Sequence, residues 1–315
     1  KLKGNIGGRS GESYAHYPIM EAGLKFIREN KDNPFFCYFP ITPPHGMYDI
    51  PANDPAWKLY EGEAWINDPA IPQDVKNYAA MVSMVDHNVG QVLSLLRELK
   101  LENDTIVFFT GDNGGQDRFR SPKHPRGFFG PNVNPKNGAE FRGGKGNLFE
   151  GGLRIPYLVR WPGKIKPRQV NDLIFYQPDV LPTLAELTGA KAPDGIDGIS
   201  FLPTLLSQAQ TKKHEMLYWE FRGQTAVRQG LWKAIQTKPD RPWELYDLSQ
   251  DISESTNVVA KHLERLAKMK AFAKASHEPV RAGKYLDPKR TRHERDRKAK
   301  WGTAKPQPRA RRPRK

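Results

Sequence analysis

The chain has 315 residues, with 50 Lys/Arg against 35 Asp/Glu, a formal net charge of +15 and 37% hydrophobic residues. A single cysteine, Cys37, excludes an internal disulfide and any cysteine-rich zinc site. No apolar run approaches the ~18 residues needed to span a membrane, and "KLKGNIGGRSGES" holds no signal-peptide apolar region.

The charge is uneven. Residues 286–315 hold 13 Lys/Arg against 3 Asp/Glu, which is +10 of the +15 and leaves about +5 for residues 1–285. The body is near neutral. The tail lacks apolar periodicity and is expected to be disordered.

In chain order, "IMEAGLKFIRE" places Ile19, Met20, Leu24 and Ile27 at helical spacing. "NP" stops that helix, and "FFCYF" then reads as a fully buried strand ended by Pro40, Pro43 and Pro44. Within that strand Cys37 reads as a small buried hydrophobe. Residues 46–71 read as loop. Pro72 suits a first helical turn. From Val75 to Leu99 a second helix presents Tyr78, Ala79, Val82, Val85, Val89, Val92, Leu93, Leu96 and Leu99 on one face. After the turn "ENDT", "IVFFT" is another buried strand. This alternation predicts an α/β layer with a mostly parallel sheet.

Residues 111–153 are rich in glycine and poor in periodicity, which in a compact domain marks a working loop. "IPYLVRW" is a third buried strand, and "QPDVLPTLAELTG" a short helix closed by Gly189. After about residue 207 the texture changes. "TAVRQGLWKAIQ" and "WELYDL" alternate and read as antiparallel strands, and "NVVAKHLERLAKMKAFAKASH" as an amphipathic helix. The expected units are therefore 1–207, an α/β domain; 208–285, a small α+β subdomain; and 286–315, a basic tail.

Ligands of open α/β sheets bind beyond the carboxyl ends of the strands. His45 follows "FFCYFPITPP" there, and Asp112 and Asn113 follow "IVFFTG". A third stretch, "GGKGNLFEGG", carries Lys145. A phosphate-loop reading of Lys145 fails on spacing. Ala139 stands where that motif has its first glycine, and Gly146 where it has a hydroxyl residue.

Taken singly, Asp-Asn-Gly is an ordinary turn and His45 an ordinary surface residue. Together they suggest one chemistry. Asp112 and Asn113 offer hard oxygens suited to Ca²⁺ or Mg²⁺ rather than zinc. Lys145 offers a point charge for a tetrahedral oxyanion. His45 can give a proton to a leaving oxygen. That set fits hydrolysis of a sulfate or phosphate ester.

These residues carry a family resemblance. "NPFFCYFPITPPH", "YAAMVSMVDHNVGQVLSLLRELKLENDTIVFFTGDNGG", "FRGGKGNLFEGGLRIPYLVRWPGKI", "QPDVLPTLAELTGA", "DGISFLPTL" and "WELYDLSQDISESTNV" occur in the order found in type I sulfatases of the alkaline phosphatase-like superfamily. They cover about residues 15–280. The resemblance implies an alkaline phosphatase-like sandwich with a small C-terminal antiparallel sheet. It implies Asp112 and Asn113 as the second pair of calcium ligands. It also implies Lys145 as a contact to the sulfate, and His45 as a histidine beside the sulfate and the leaving oxygen.

Three family features are absent from this sequence. They are the C/S-x-P-x-R motif whose Cys or Ser becomes the formylglycine nucleophile, the first pair of calcium-binding aspartates, and a lysine–histidine motif that in the family lies between the nucleophile and the region where this sequence starts. Cys37 has its proline one position late and no arginine. All three belong N-terminal to the matching stretches. The expectation is a C-terminal portion of a longer, exported (periplasmic or extracellular) sulfatase that is inactive alone.

The implied substrate is a sulfated small molecule or polysaccharide. Competing readings are a phosphodiesterase or phosphonate hydrolase of the same superfamily, and a non-catalytic polyanion-binding relative. The tail could hold a polyanion by charge. Its one aromatic, Trp301, argues against base stacking and so against nucleic acid. The basic loop 116–140, with Arg118, Arg120, Lys123, His124 and Arg126, could read a second anionic group.

Overall fold

The computed structural model describes residues 13–45, 48–116 and 132–279. The basic tail and most of the basic loop lie outside these residues, as do Arg118, Arg120, Lys123, His124 and Arg126.

Helix α1 (His16–Glu29) buries His16, Met20 and Ile27. It stops at Asn30, whose backbone N–H and side-chain amide both donate to Phe26 O, at 3.1 and 2.8 Å. Residues 46–71 hold more than loop. A 3₁₀ turn, Pro55–Tyr60, is capped by Asp54 accepting from Ala56 N, and α2 (Ala64–Asn67) follows.

The long helix α3 (Gln73–Glu98) faces two cores in succession. Its first half sets Ala80, Met81 and Met84 against Tyr48, Ile50 and Ala56. Its last turns set Leu95 and Leu96 against Ile27. Val82, expected on the buried face, is exposed. Over seven turns a straight helix drifts relative to one neighbour, so a single stripe does not describe it. His16 Nε2 and Asn88 Oδ1 meet at 2.6 Å, tying α1 to α3.

Strand β1 (Val107–Thr110) is followed by α4 (Glu150–Leu153) and strand β2 (Tyr157–Arg160). β1 and β2 pair antiparallel, with Val107 opposite Arg160 and Thr110 opposite Tyr157. Parallel pairing was the expectation. Among the described residues this antiparallel pair is the whole of that sheet.

"FFCYF" is extended but belongs to no strand. Phe35, Cys37 and Phe39 join the α1–α3 core, while Phe36 and Tyr38 are 70% and 76% exposed. Leu158 of β2 is exposed as well. A continuous apolar run predicts cover on both faces, and here one face is covered. Helix α5 (Val180–Thr188) ends at Gly189 in the left-handed region, as its position suggests, and α6 (Leu202–Leu205) follows.

The remainder is a four-stranded antiparallel sheet in sequential order: β3 (Leu217–Phe221), β4 (Gln224–Gln229), β5 (Trp232–Gln236) and β6 (Glu244–Asp247). β3 had no clear sequence signal. Strand alternation sends Val227, Ala234 and Leu245 to one face, against Leu266, Met269 and Ala273 of α7 (Leu263–Ser276). It sends Ala226, Ile235 and Tyr246 to the other, against Leu148 and Phe149. The segment that carries Lys145 therefore lies under the C-terminal sheet.

Charge reinforces this apolar contact. Lys233 of β5 is fully buried. Its Nζ donates to Glu150 Oε1 at 2.9 Å and lies 2.8 Å from Glu254 Oε1. The second contact is an ion pair outside hydrogen-bond direction, since Glu254 Oε1 has no hydrogen-bond partner. Glu150 Oε2 accepts from Arg154 Nε and Arg228 Nη1, at 2.6 and 2.9 Å, and Glu254 Oε2 accepts from Glu150 N at 2.7 Å. Burial alone would raise the Glu150 carboxyl. Lys233, Arg228 and Arg154 outweigh it and bring it from 4.5 down to about 2. Glu254, for which burial dominates and the Glu150 charge adds, is pushed up.

Two outcomes follow from this network. Lys233→Met leaves Glu254 without its buried cation and Glu150 with only Arg154 and Arg228, and should cost about 3–5 kcal/mol in urea unfolding; a loss under ~1 kcal/mol would show that the network is not stabilising. Glu150 has a folded value below its unfolded one, so its contribution is complete above pH 4.5 and is lost as pH falls toward 2. Glu254, shifted the other way, contributes below its unfolded value and loses that contribution as pH rises. Between pH 4.5 and 2 the urea midpoint should fall, and Glu150→Gln should flatten that fall.

Candidate active site

The chain leaves β1 at Thr110, whose Oγ1 donates to Pro156 O at 3.1 Å beside the start of β2. Gln177 Nε2 holds Gly111 O at 3.1 Å. The next residue, Asp112, is exposed, and among the described residues its carboxylate has no hydrogen bond or ion pair. Asn113 Nδ2 donates to Gly114 O at 3.1 Å, which leaves its Oδ1 as a free acceptor.

Gly114 explains the glycines of "GDNGG". Its N–H donates to Gly152 O at 3.0 Å, and a Cβ here would stand 2.0 Å from Gly151 O. Only glycine lets the two backbones come this close. One residue on, Gly115 O accepts from Lys145 N at 2.9 Å. The turn with Asp112 and Asn113 and the loop with Lys145 are thus bonded backbone to backbone. Lys145 is part-buried, and among the described residues its ammonium meets no carboxylate. A lysine and a carboxylate that are both without an ionic partner among the described residues, on loops bonded to each other, suit a ligand that takes an anion contact and a metal contact.

His45 stands apart. It is exposed, and its N–H donates to Thr42 O at 2.9 Å after the cis peptide Pro43–Pro44. No direct contact joins it to Asp112, Asn113 or Lys145 among the described residues. The link is indirect: Tyr48 OH, three residues on, donates to Gln116 Oε1 at 3.2 Å, just past Gly115.

As a calcium site the donor set fits one side of an ion and not a full shell. Asp112 and Asn113 supply two or three oxygens where about 6–8 are wanted. No group of three His, Cys, Asp or Glu among the described residues could hold a metal. Cys37 is not an activated nucleophile, because burial pushes its thiol up.

The sequence reading did not single out Gln177, Gln224, Glu150, Arg228, Lys233 or Glu254. Lys233 carried a signal, since it shares strand parity with inward-facing Ile235 and an inward lysine requires a buried carboxylate. Gln224 carried none.

A sulfatase family model matches residues 9–190, and a second, described as N-sulphoglucosamine sulphohydrolase, C-terminal, matches residues 144–276. A sulfatase from Formosa agariphila is 33% identical over 263 residues, covering 75% of this chain and 44% of its own. Human steryl-sulfatase is 35% identical over 229 residues, covering 69% and 35%. A solved structure described under the metabolism of multiple glycosaminoglycans by Bacteroides thetaiotaomicron superposes with a TM-score of 0.66 at 26% identity, over 85% of this chain and 56% of that one. The chain therefore spans less than half the length of these curated relatives. No helix among the described residues is long and apolar enough to cross a membrane. The chain belongs to the type I sulfatase family, with its alkaline phosphatase-like fold.

Proposed function

We propose that the protein to which this chain belongs hydrolyses sulfate monoesters, and that the chain supplies the anion contact and one half of the metal site. The observation that carries this is the backbone bond between the two loops. Because Gly115 O accepts from Lys145 N at 2.9 Å, the backbones that carry the ammonium and the Asp112 carboxylate are bonded to each other.

In this reading Asp112 and Asn113 hold Ca²⁺ by oxygen, and Mg²⁺ suits the site less well. When bound, the ion would neutralise charge on the sulfate oxygens. Lys145 contacts the sulfate oxygens as a point charge, and most strongly when charge builds up on them. His45 gives a proton to the departing alcohol oxygen. The nucleophile, a formylglycine in the family, and the first pair of calcium aspartates are not among residues 1–315.

A sulfated carbohydrate is the favoured substrate. It is supported by the glycosaminoglycan context of the structural neighbour and by the basic residues of the 116–140 loop. The similarity to a steryl-sulfatase makes a steroid sulfate the alternative to assay beside it. Export, and a tail that adds polyanion affinity, complete the proposal.

The 315-residue chain alone should show no turnover of an aryl sulfate, because Lys145 and His45 can stabilise charge but cannot form a covalent sulfo-enzyme. Measurable hydrolysis by the purified chain would overturn that division of roles. In a protein that also carries the nucleophile, Lys145→Ala should lower kcat by about 10²-fold or more; an unchanged kcat would remove Lys145 from the catalytic set.

A further inference from the structure

We infer that Gln224, at the start of β4, is a positioning residue for Lys145, so that the C-terminal sheet is a working part of the anion site. The inference rests on the reading of Lys145 as the sulfate contact.

The loop around Lys145 has one tight turn of its own, Asn147 N donating to Gly144 O at 3.2 Å, and is otherwise rich in glycine. Gly143 and Gly146 are both in the left-handed region, at φ 71° and 96°, and Gly144 lies between Gly143 and the lysine. Such a backbone has the widest conformational choice of any sequence and must be fixed from outside. On one side Gly115 O fixes Lys145 N. On the other side stands Gln224. Its Nε2 donates to Gly146 O at 3.1 Å and its Oε1 accepts from Leu148 N at 3.2 Å. One amide thus uses its donor and its acceptor on the same loop, directly after the lysine.

β4 is placed to do this along its length. Gln224, Ala226 and Arg228 share one strand face. Gln224 binds Gly146 and Leu148, Ala226 packs with Leu148 and Phe149, and Arg228 binds Glu150. The strand therefore runs beside residues 146–150 as a template. Its start is set by the two-residue hairpin Arg222-Gly223, both at positive φ (50° and 78°), which pairs Phe221 with Gln224. Its far end is fixed by the ion network of Glu150, Lys233 and Glu254. Arg142 closes the other flank. It stacks on Phe149 at 3.9 Å and donates to Tyr246 OH and Glu254 O, at 2.7 and 3.0 Å.

A merely structural glutamine would affect stability alone, whereas a positioning residue sets the loop and its anion affinity. The test uses the 315-residue chain and three readouts: amide hydrogen exchange across residues 143–149, inorganic sulfate affinity, and thermal melting. Gln224→Ala should speed exchange in that loop and weaken sulfate binding about tenfold, as expected for two lost hydrogen bonds. Gln224→Glu keeps an acceptor for Leu148 N but sets a carboxylate oxygen against Gly146 O and adds a negative charge, so it should speed exchange and weaken sulfate binding at least as much as Gln224→Ala. Val227→Ala, on the α7 face of the same strand, should lower melting and leave both loop readouts unchanged.

Wild-type exchange in Gln224→Ala would overturn the inference, as would loop changes in Val227→Ala equal to those in Gln224→Ala. Lys145→Ala separates the two claims. If it leaves sulfate affinity at the wild-type value, the reading of Lys145 as anion contact falls, and the exchange data still decide whether Gln224 fixes the loop.

Discussion

The Lys233 ammonium, buried between the carboxylates of Glu150 and Glu254, is the constraint on which the rest of this structure depends. A buried ammonium is tolerated only when paired, so β5 cannot leave the α4 turn without exposing three charges to an apolar environment. Glu254 sits in the left-handed region at φ 53° with no exposed surface. Such a conformation costs about 1–3 kcal/mol and persists only where the surroundings enforce it. Here the enforcing contact is the ion pair with Lys233, together with the Glu150 N–H. The C-terminal sheet and the lysine loop are therefore one mechanical unit, although sequence texture divides them near residue 207.

From that unit, geometry passes to the turn that carries Asp112 and Asn113 through backbone bonds. The Gly114 and Gly151–Gly152 backbones touch where any side chain would collide. Backbone contact has no rotamers, so the distance between the Asp112 turn and the Lys145 loop does not depend on side-chain order. The two loops are thereby held together independently of the side chains they carry.

The other side of the α/β layer is less enclosed. Phe35, Cys37 and Phe39 face α1 and α3 while Phe36 and Tyr38 face outward, so a run that reads as doubly buried is buried once. His45 lies at the end of this open segment. That placement accounts for its separation from the Asp112 and Lys145 loops, toward which, among the described residues, Tyr48 reaches by its hydrogen bond to Gln116.

Much of the fold was legible in the sequence. Helical spacing located α1 and α3, turn residues located the C-cap at Gly189, and period-two alternation located β4, β5 and β6. The motifs "PPH", "GDNGG" and "GGKG…EGG" named the residues of the candidate site and their family. These are local signals: each depends on residues within one turn or one strand of each other. What the tertiary structure decided was long-range. Lys233 and Glu150 are 83 residues apart and Gln224 and Gly146 are 78 apart, and no local period records which buried charge finds which partner. The sequence by itself determined the chemistry that "GDNGG" and "GGKG" can perform. Only the folded chain determined that a strand from the C-terminal sheet holds that chemistry in place, because a glycine loop takes its shape from what surrounds it.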